Sequence, residues 1–343
     1  MDAMPEPSDV PYDAFLLVSF GGPERPEDVL PFLEDVTRGR DVPRARLLEV
    51  AEHYYHLGGV SPINEQNRRL LAAVRAALQA QGPALRVYWG NRHWHPRLEA
   101  AVARMAQDGV RRALAFVTAG FGCYASCRQY QEAMERAVAA AGPGAPRVER
   151  LRLFYNHPRF IEAVADHTRA ALDRVPPGRR ADAVVVFTAH SIPAWMAAAS
   201  DYEAELREAA ALVIDRLGDG RPWSLAYQSR SGAPTTPWLG PDIGEELDRL
   251  ARQGAADAVV VPLGFVSDHV EVRYDLDVEA AARARQAGLG FVRAETPGTH
   301  PAFVAMIREL ILERTDGAPR RALGSRGPAP DACRPGCCQP APR

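Results

Sequence analysis

The chain contains no lysine; all 41 of its basic residues are arginine. With abundant alanine, glycine and proline, that bias reads as a GC-rich genome. It also has a chemical side, since a guanidinium forks onto a carboxylate as an ammonium cannot, which suits an acidic ligand. Excess charge is missing too: the net charge is −2, which argues for no nucleic acid. No apolar run reaches the about 18 residues of a membrane span. The start, MDAMPEPSDVPYD, lacks a basic n-region and an apolar h-region. It is therefore not read as a secretory signal, and a soluble, cytoplasmic protein is expected. GxGxxG is absent, which counts against a dinucleotide site. So is any HExxH-like group of ligands, which counts against a permanently caged metal. Cysteines are few, five in 343 residues. An odd count in a cytosolic context argues against a disulfide framework and leaves metal binding open.

What is present is alternation. The chain is 47% hydrophobic, ample for a core, and its length suits two domains or one large one. Strand candidates fall at 15–20, 86–89, 113–117, 148–154, 183–187, 224–228, 258–263 and 290–293. Several are continuous and β-branched, as strands buried on both faces are. Between them, 67–79, 158–174, 204–217 and 244–252 repeat apolar residues at helical spacing. Strand–helix alternation predicts a doubly wound α/β architecture with parallel sheets. The loop AAAGPGAP, ending near residue 146, marks a natural halfway point that leaves about four strands to each half. The expected organisation is an N-terminal α/β lobe over 1–147, a similar lobe over 148–299, a last helix over 300–315 and a tail over 316–343. The tail is rich in Pro, Gly and Arg and cannot build a core. It is either disordered or pinned by its cysteines.

Two segments carry candidate chemistry. In VVVFTAHSIP an apolar strand ends at His190, and ligands of open α/β sheets bind beyond the carboxyl ends of strands. An imidazole there is a base or a metal ligand; the alternative is a histidine that only hydrogen-bonds a neighbouring loop. In VVVPLGFVSDHVEVRYDLDVEA a second strand ends and Asp268, His269 and Glu271 follow. Asp268 and Glu271 are spaced as the two halves of a helix capping box, which is a purely structural reading of Glu271. Asp275 and Glu279 continue at i,i+4, where like charges repel. Such a row is either a cation path or a solvated acidic face. Imidazole and carboxylate together suit Fe2+, held transiently, as a metal that is a substrate would be. The loop LGGVSPIN is Gly-rich enough to approach a flat ligand closely, or simply turns the chain into the next helix.

Six segments in order, SFGGPE (19–24), LGGVSPIN (57–64), NRHWHP (91–96), FTAHSIP (187–193), YQSRSG (227–232) and GFVSDHVEVRYDLDVE (264–279), resemble the ferrochelatase family. The resemblance runs from near residue 12 to near residue 315 and is greatest to the actinobacterial branch, whose enzymes act on coproporphyrin III. It implies two Rossmann-like lobes with a porphyrin cleft between them, and Fe2+ held by His190 and Glu271, with His190 also accepting pyrrole protons. Asp275 and Glu279 would continue the acidic path, and Ser61 and Tyr130 would bind the porphyrin. Binding that bends the macrocycle exposes its nitrogen lone pairs, and its propionates are handles for hydroxyls or arginines such as Arg38, Arg40 and Arg128. Phe20 stands where coproporphyrin ferrochelatases of low-GC Gram-positive bacteria place a tyrosine, and His53 where they place an arginine. Phenylalanine cannot ligate iron. The product would pass to the next haem-pathway enzyme. Protoporphyrin IX insertion, a cobalt or nickel chelatase, and a non-catalytic porphyrin- or haem-binding module are the competing readings.

Many ferrochelatases also hold a [2Fe-2S] cluster on one mid-chain and three tail cysteines. The resemblance assigns Cys127, Cys333, Cys337 and Cys338 to it, four thiolates being the usual number. The tail spacing C-x3-C-C is unusual, and Cys123 is a possible substitute for one tail ligand. A Zn2+ site or unligated thiols are the alternatives.

Overall fold

The computed structural model describes residues 10–40, 42–231, 235–333 and 337–338. Gly232, part of the YQSRSG segment, and the remainder of the tail lie outside them. In chain order the first half runs β1 (Ala14–Ser19), α1 (Val29–Val36), α2 (Arg44–His56), α3 (Ile63–Gln81), β2 (Arg86–Asn91), α4 (Leu98–Gln107), β3 (Arg112–Val117), a π-helical turn (Tyr124–Arg128), α5 (Gln129–Ala141) and β4 (Arg147–Arg150). The second runs α6 (Pro158–Leu172), β5 (Val184–His190), α7 (Ala194–Ala198), α8 (Tyr202–Leu217), β6 (Trp223–Gln228), α9 (Ile243–Arg252), β7 (Asp257–Val261), α10 (Val270–Val272), a π-helix (Arg273–Ala280), α11 (Ala281–Gln286), β8 (Gly290–Arg293) and α12 (Pro301–Thr315).

All strand pairs are parallel, and the order is the same twice: β2-β1-β3-β4 and β6-β5-β7-β8. The central strands AFLLVS and DAVVV are buried along their whole length, because helices cover both faces. Sequence and structure agree on the strands except at β4, which the division after residue 147 assigns to the second lobe but which pairs with β3 in the first sheet. The apolar run expected as a strand to 154 stops at Arg150. Leu151 still donates to the Ala115 carbonyl, but Arg152 then turns inward to Glu313 at 2.7 Å, and the pair is almost wholly buried. A guanidinium that must meet a buried carboxylate cannot stay in the ladder.

The largest core cluster joins β1 and β3 to β5 and β7 through α3, α6, α8 and α12. Helix α12 lies against both α3 and α6. The described part of the tail is held by polar backbone contacts: Leu323 N–H donates to the Asn156 carbonyl, and the Asn156 amide donates to the Leu323 and Gly327 carbonyls. Arg152 holds the Arg321 carbonyl, and Glu208 accepts from Ser325 N–H.

Candidate metal and anion site

A repeated strand order of this kind reverses direction between its two central strands, and ligands bind at the carboxyl ends there. In the second sheet those strands are β5 and β7. His190 is the last residue of β5, and the loop leaving β7 leads directly into Glu271. The two meet: His190 Nε2 is 3.7 Å from Glu271 Oε2. The imidazole is oriented from behind. Its Nδ1 is 2.5 Å from the Ser191 carbonyl oxygen, which can only accept, so Nδ1 carries the proton. Nε2 is left with a lone pair facing the carboxylate. Tyr202 Oη donates to the His190 carbonyl at 3.0 Å, and Ser191 N–H to Gln228 O at 2.8 Å, which fixes the strand end. Two donors 3.7 Å apart can both reach one dication at bond lengths of about 2.1 Å.

The capping-box reading of Glu271 is overturned. The helix begins at Val270, and its N-cap is His269, whose Nδ1 accepts from Val272 N–H at 3.2 Å. Asp268 is drawn away to Arg293 at 3.0 Å and to Thr296 at 3.1 Å. Glu271 therefore has no cap to make, and its side chain is exposed. His269, by contrast, spends its Nδ1 on the helix end.

Asp275 and Glu279 both lie in the π-helix. Burial is the largest influence on Asp275 and pushes its carboxyl up to about 7; the neighbouring Glu271 and Glu279 charges add to this, against the Ser229 and Gln228 hydrogen bonds. Ser229 Oγ donates to Asp275 Oδ2 at 2.5 Å from a left-handed backbone, φ 62°. Gln228 Nε2 reaches the Glu271 carbonyl and Asp275 Oδ2, each at 3.4 Å. Among the described residues no ion pair joins Glu271, Asp275 or Glu279 to an arginine; Glu271 pairs only with His190. In a chain with 41 basic residues, all arginine, a row of carboxylates left without a guanidinium favours the cation-path reading over a solvated face.

The carboxyl ends of the first sheet come up to the same place. Val270 is buried with Phe32, Leu33 and Tyr54 of α1 and α2. The His53 ring stacks on Tyr274 with centroids 4.0 Å apart, and Gln66 of α3 accepts from Asp268 N–H at 2.9 Å. Burial is the main influence lowering the His53 pKa, against the Glu279 and Glu271 charges. Phe20 leaves β1 and packs on His93, centroids 4.6 Å apart. His93 is held by Asp35 at 3.2 Å, yet burial pushes its pKa down to about 4.

Ser61 is buried beneath Gly22: a Cβ on that glycine would stand 2.7 Å from the Ser61 Cβ. Tyr130 is buried at the start of α5, and burial raises its hydroxyl to about 12. Over its ring lies Arg92, 5.4 Å from the centroid. Arg92 escaped the sequence reading. Burial lowers its pKa, and Arg40 and Arg136 press on it with like charge. It donates to the neutral Gln129 Oε1 at 3.1 Å. Of the arginines expected to hold an anion, Arg38 and Arg128 are bound to Asp35 and Glu132, whereas Arg40 stands near Arg92. The signal available was the NRHWHP segment itself.

Cys127 is buried, with Cys333, Cys338 and Arg150 near enough for their charges to act on it or on one another. Cys337 Sγ and Cys338 Sγ are 3.6 Å apart. Among the described residues no three His, Cys, Asp or Glu side chains close to single-ion distances, here or at His190. Also among them, no helix is long and apolar enough to cross a membrane.

Comparison with known proteins bears on these sites. The family model described as Ferrochelatase matches residues 12–315. The chain is 54% identical to the coproporphyrin III ferrochelatase of Frankia alni, over 96% of this chain and 87% of that one. It is 51% identical to the ferrochelatase of Rhodopirellula baltica, over 97% and 95%. Among solved structures, SirB from Bacillus subtilis with Fe3+ superposes with a TM-score of 0.56 at 12% identity, covering 89% of this chain and 96% of that one. At that identity the likeness is one of fold.

Proposed function

The chain belongs to the ferrochelatase family, and from that premise we propose that it inserts Fe2+ into coproporphyrin III, in the cytoplasm, as a step of haem biosynthesis. The observation that carries the proposal is the oriented His190–Glu271 pair, 3.7 Å apart, beside carboxylates that no arginine neutralises. Glu271 and the His190 Nε2 lone pair receive the iron. Asp275 and Glu279 lead it in. As the iron passes to the ring, the freed His190 Nε2 lone pair accepts one of the two protons that leave the pyrrole nitrogens and the other goes to solvent; an imidazole has the right basicity for that near neutral pH.

The porphyrin is held between the carboxyl ends of the two sheets. Ser61 and Tyr130 contact its rim or propionates, and Arg92, with Arg40 and Arg136 near it, supplies charge for a propionate. Four propionates rather than two suit that many guanidiniums. The names of the relatives from Frankia alni and Nocardia farcinica support the same substrate. Phe20 brings no oxygen to the iron, so the product leaves without a tyrosinate bond at that position and passes to the next haem-pathway enzyme.

The same reading places a [2Fe-2S] cluster on Cys127, Cys333, Cys337 and Cys338. What supports it is that these thiols gather, that a two-iron cluster is wider than one ion, and that an arginine faces them. The cluster would fasten the tail end and add an electron-accepting centre.

Anaerobic assay of the purified protein with Fe2+ tests the function. Iron coproporphyrin should form several-fold faster than protohaem. Equal or faster turnover of protoporphyrin IX would replace the substrate. Tight porphyrin binding without any insertion would make the protein a binding module.

A further inference from the structure

The segment leading into Glu271 can form two structures, and the fold admits one of them. By spacing, Asp268 caps a helix and Glu271 is its third residue, the two halves of a capping box. In that box the Asp268 carboxylate takes the Glu271 N–H, and the Glu271 carboxylate reaches back to the Asp268 N–H. Glu271 would then have nothing left for a metal. Aspartate is among the best caps, so the box fails only where its parts are held more firmly elsewhere.

Both parts are held. Arg293, the last residue of β8, forks onto Asp268: Nη1 donates to Oδ1 at 3.2 Å and Nη2 to Oδ2 at 3.0 Å. Thr296 Oγ1 adds a bond to Oδ1 at 3.1 Å. The Arg293 and Asp268 side chains are mostly buried, 16% and 17% exposed. There, two charge-assisted bonds and a hydroxyl outweigh the single bond of a cap. The other part is taken from the first half of the chain, where Gln66 Oε1 of α3 accepts the Asp268 N–H at 2.9 Å. Arg293 has a second hold: its Nε donates to Asp277 Oδ1 at 2.6 Å. Asp277 also stands 4.0 Å from Arg273. It is two residues from both Asp275 and Glu279, about half a helical turn, so the clamp grips the π-helix on the side away from the acidic row.

We propose that Arg293, helped by Gln66, keeps Glu271 available to iron by withholding both halves of the capping box. Arg293 is a positioning residue that acts on Glu271 through Asp268. The proposal rests on the reading of Glu271 as an iron donor.

The test uses the full chain, purified without oxygen, as wild type, Arg293→Met, and Arg293→Met combined with Asp268→Ala. Insertion is assayed with Fe2+ and coproporphyrin III varied in turn. Arg293→Met frees Asp268 to cap and should raise KM for Fe2+ about fivefold, the weight of one helix cap, with KM for coproporphyrin III unchanged. Alanine caps poorly, so adding Asp268→Ala should return most of that rise. Charge alone predicts the reverse: deleting a cation near Glu271 lowers KM for Fe2+, and deleting the Asp268 carboxylate raises it. A structural role alone leaves the double variant like the single one, or moves both KM values together. Either pattern would overturn the proposal. If Arg293→Met does not fold, Gln66→Leu and Gln66→Glu carry the comparison. The Leu variant frees the Asp268 N–H and should raise KM for Fe2+; the Glu variant keeps it occupied and should not. Equal values for those two would also overturn the proposal. Wild-type protein that inserts no iron would overturn Glu271 as donor, and this inference with it.

Discussion

At the carboxyl end of the first sheet, the polar groups are a serine hydroxyl, a buried tyrosine and an arginine pressed by two others. At the carboxyl end of the second, they are an imidazole and a line of carboxylates. The two sheets have the same strand order, so topology did not choose the chemistry. Each sheet places its loops at the same reversal point, and side chains on those loops make one wall fit for an anion and the other for a dication. Joining a metal to an acidic macrocycle needs both walls, with the metal kept from the anion's own handles until it reaches the ring.

Three substitutions break that division, in falling order of effect. His190→Ala removes the base and one iron donor at once. Insertion should fall roughly 10²- to 10⁴-fold, while porphyrin quenching of tryptophan fluorescence stays near wild type. Retention of more than about a tenth of the turnover would move the base elsewhere. Arg92→Met acts on the other wall. Loss of a charge-assisted bond is worth about 1.5–3 kcal/mol, so KM for coproporphyrin III should rise about 10- to 100-fold with kcat much less changed. A fall in kcat at constant KM would mean that Arg92 serves the chemistry rather than the substrate's grip.

Asp275→Asn is the mildest and reads out through pH. Burial raises the Asp275 carboxyl from 3.8 to about 7 in the fold. Between those values the folded chain holds a proton that the unfolded chain has released. Its contribution to stability is therefore complete below about pH 4 and lost as pH rises through 7. The metal-free wild type should lose denaturant resistance across that window, and the Asn variant should lose less. Iron affinity runs the other way, strengthening as Asp275 ionises. The Asn variant should flatten that rise to within a few-fold, measured as KM for Fe2+ from pH 6 to 8. An unchanged slope would place the titrating group elsewhere in the acidic row.

Much of the frame was legible because its signals are local. Continuous β-branched runs such as 184–187 and 258–261 have few uses other than a doubly covered strand. Helices α1, α2, α4 and α5 were less visible. In α2, RARLLEVAEHYYH spreads its polar groups around the axis and buries only Ala51 and Tyr54, so periodicity hardly marks it. The π-helix Arg273–Ala280 left no pattern to read. Its Asp275 is held from the end of β6 by Gln228 and Ser229, contacts distant in sequence. The capping box failed for a related reason. Local spacing favoured Asp268 as the cap, but Arg293, distant in sequence, competes for the same carboxylate.

By itself, then, the sequence determined the strand set and which side chains could bind a dication, because those follow from residue type and short-range period. Tertiary structure alone decided which of them face each other. It set Nε2 of His190 toward Glu271 and freed Glu271 from capping. It stripped the acidic row of arginine partners and put Arg92 over Tyr130. Pairings of this kind depend on which charges find better partners elsewhere in the folded chain, and no local window of sequence contains that competition.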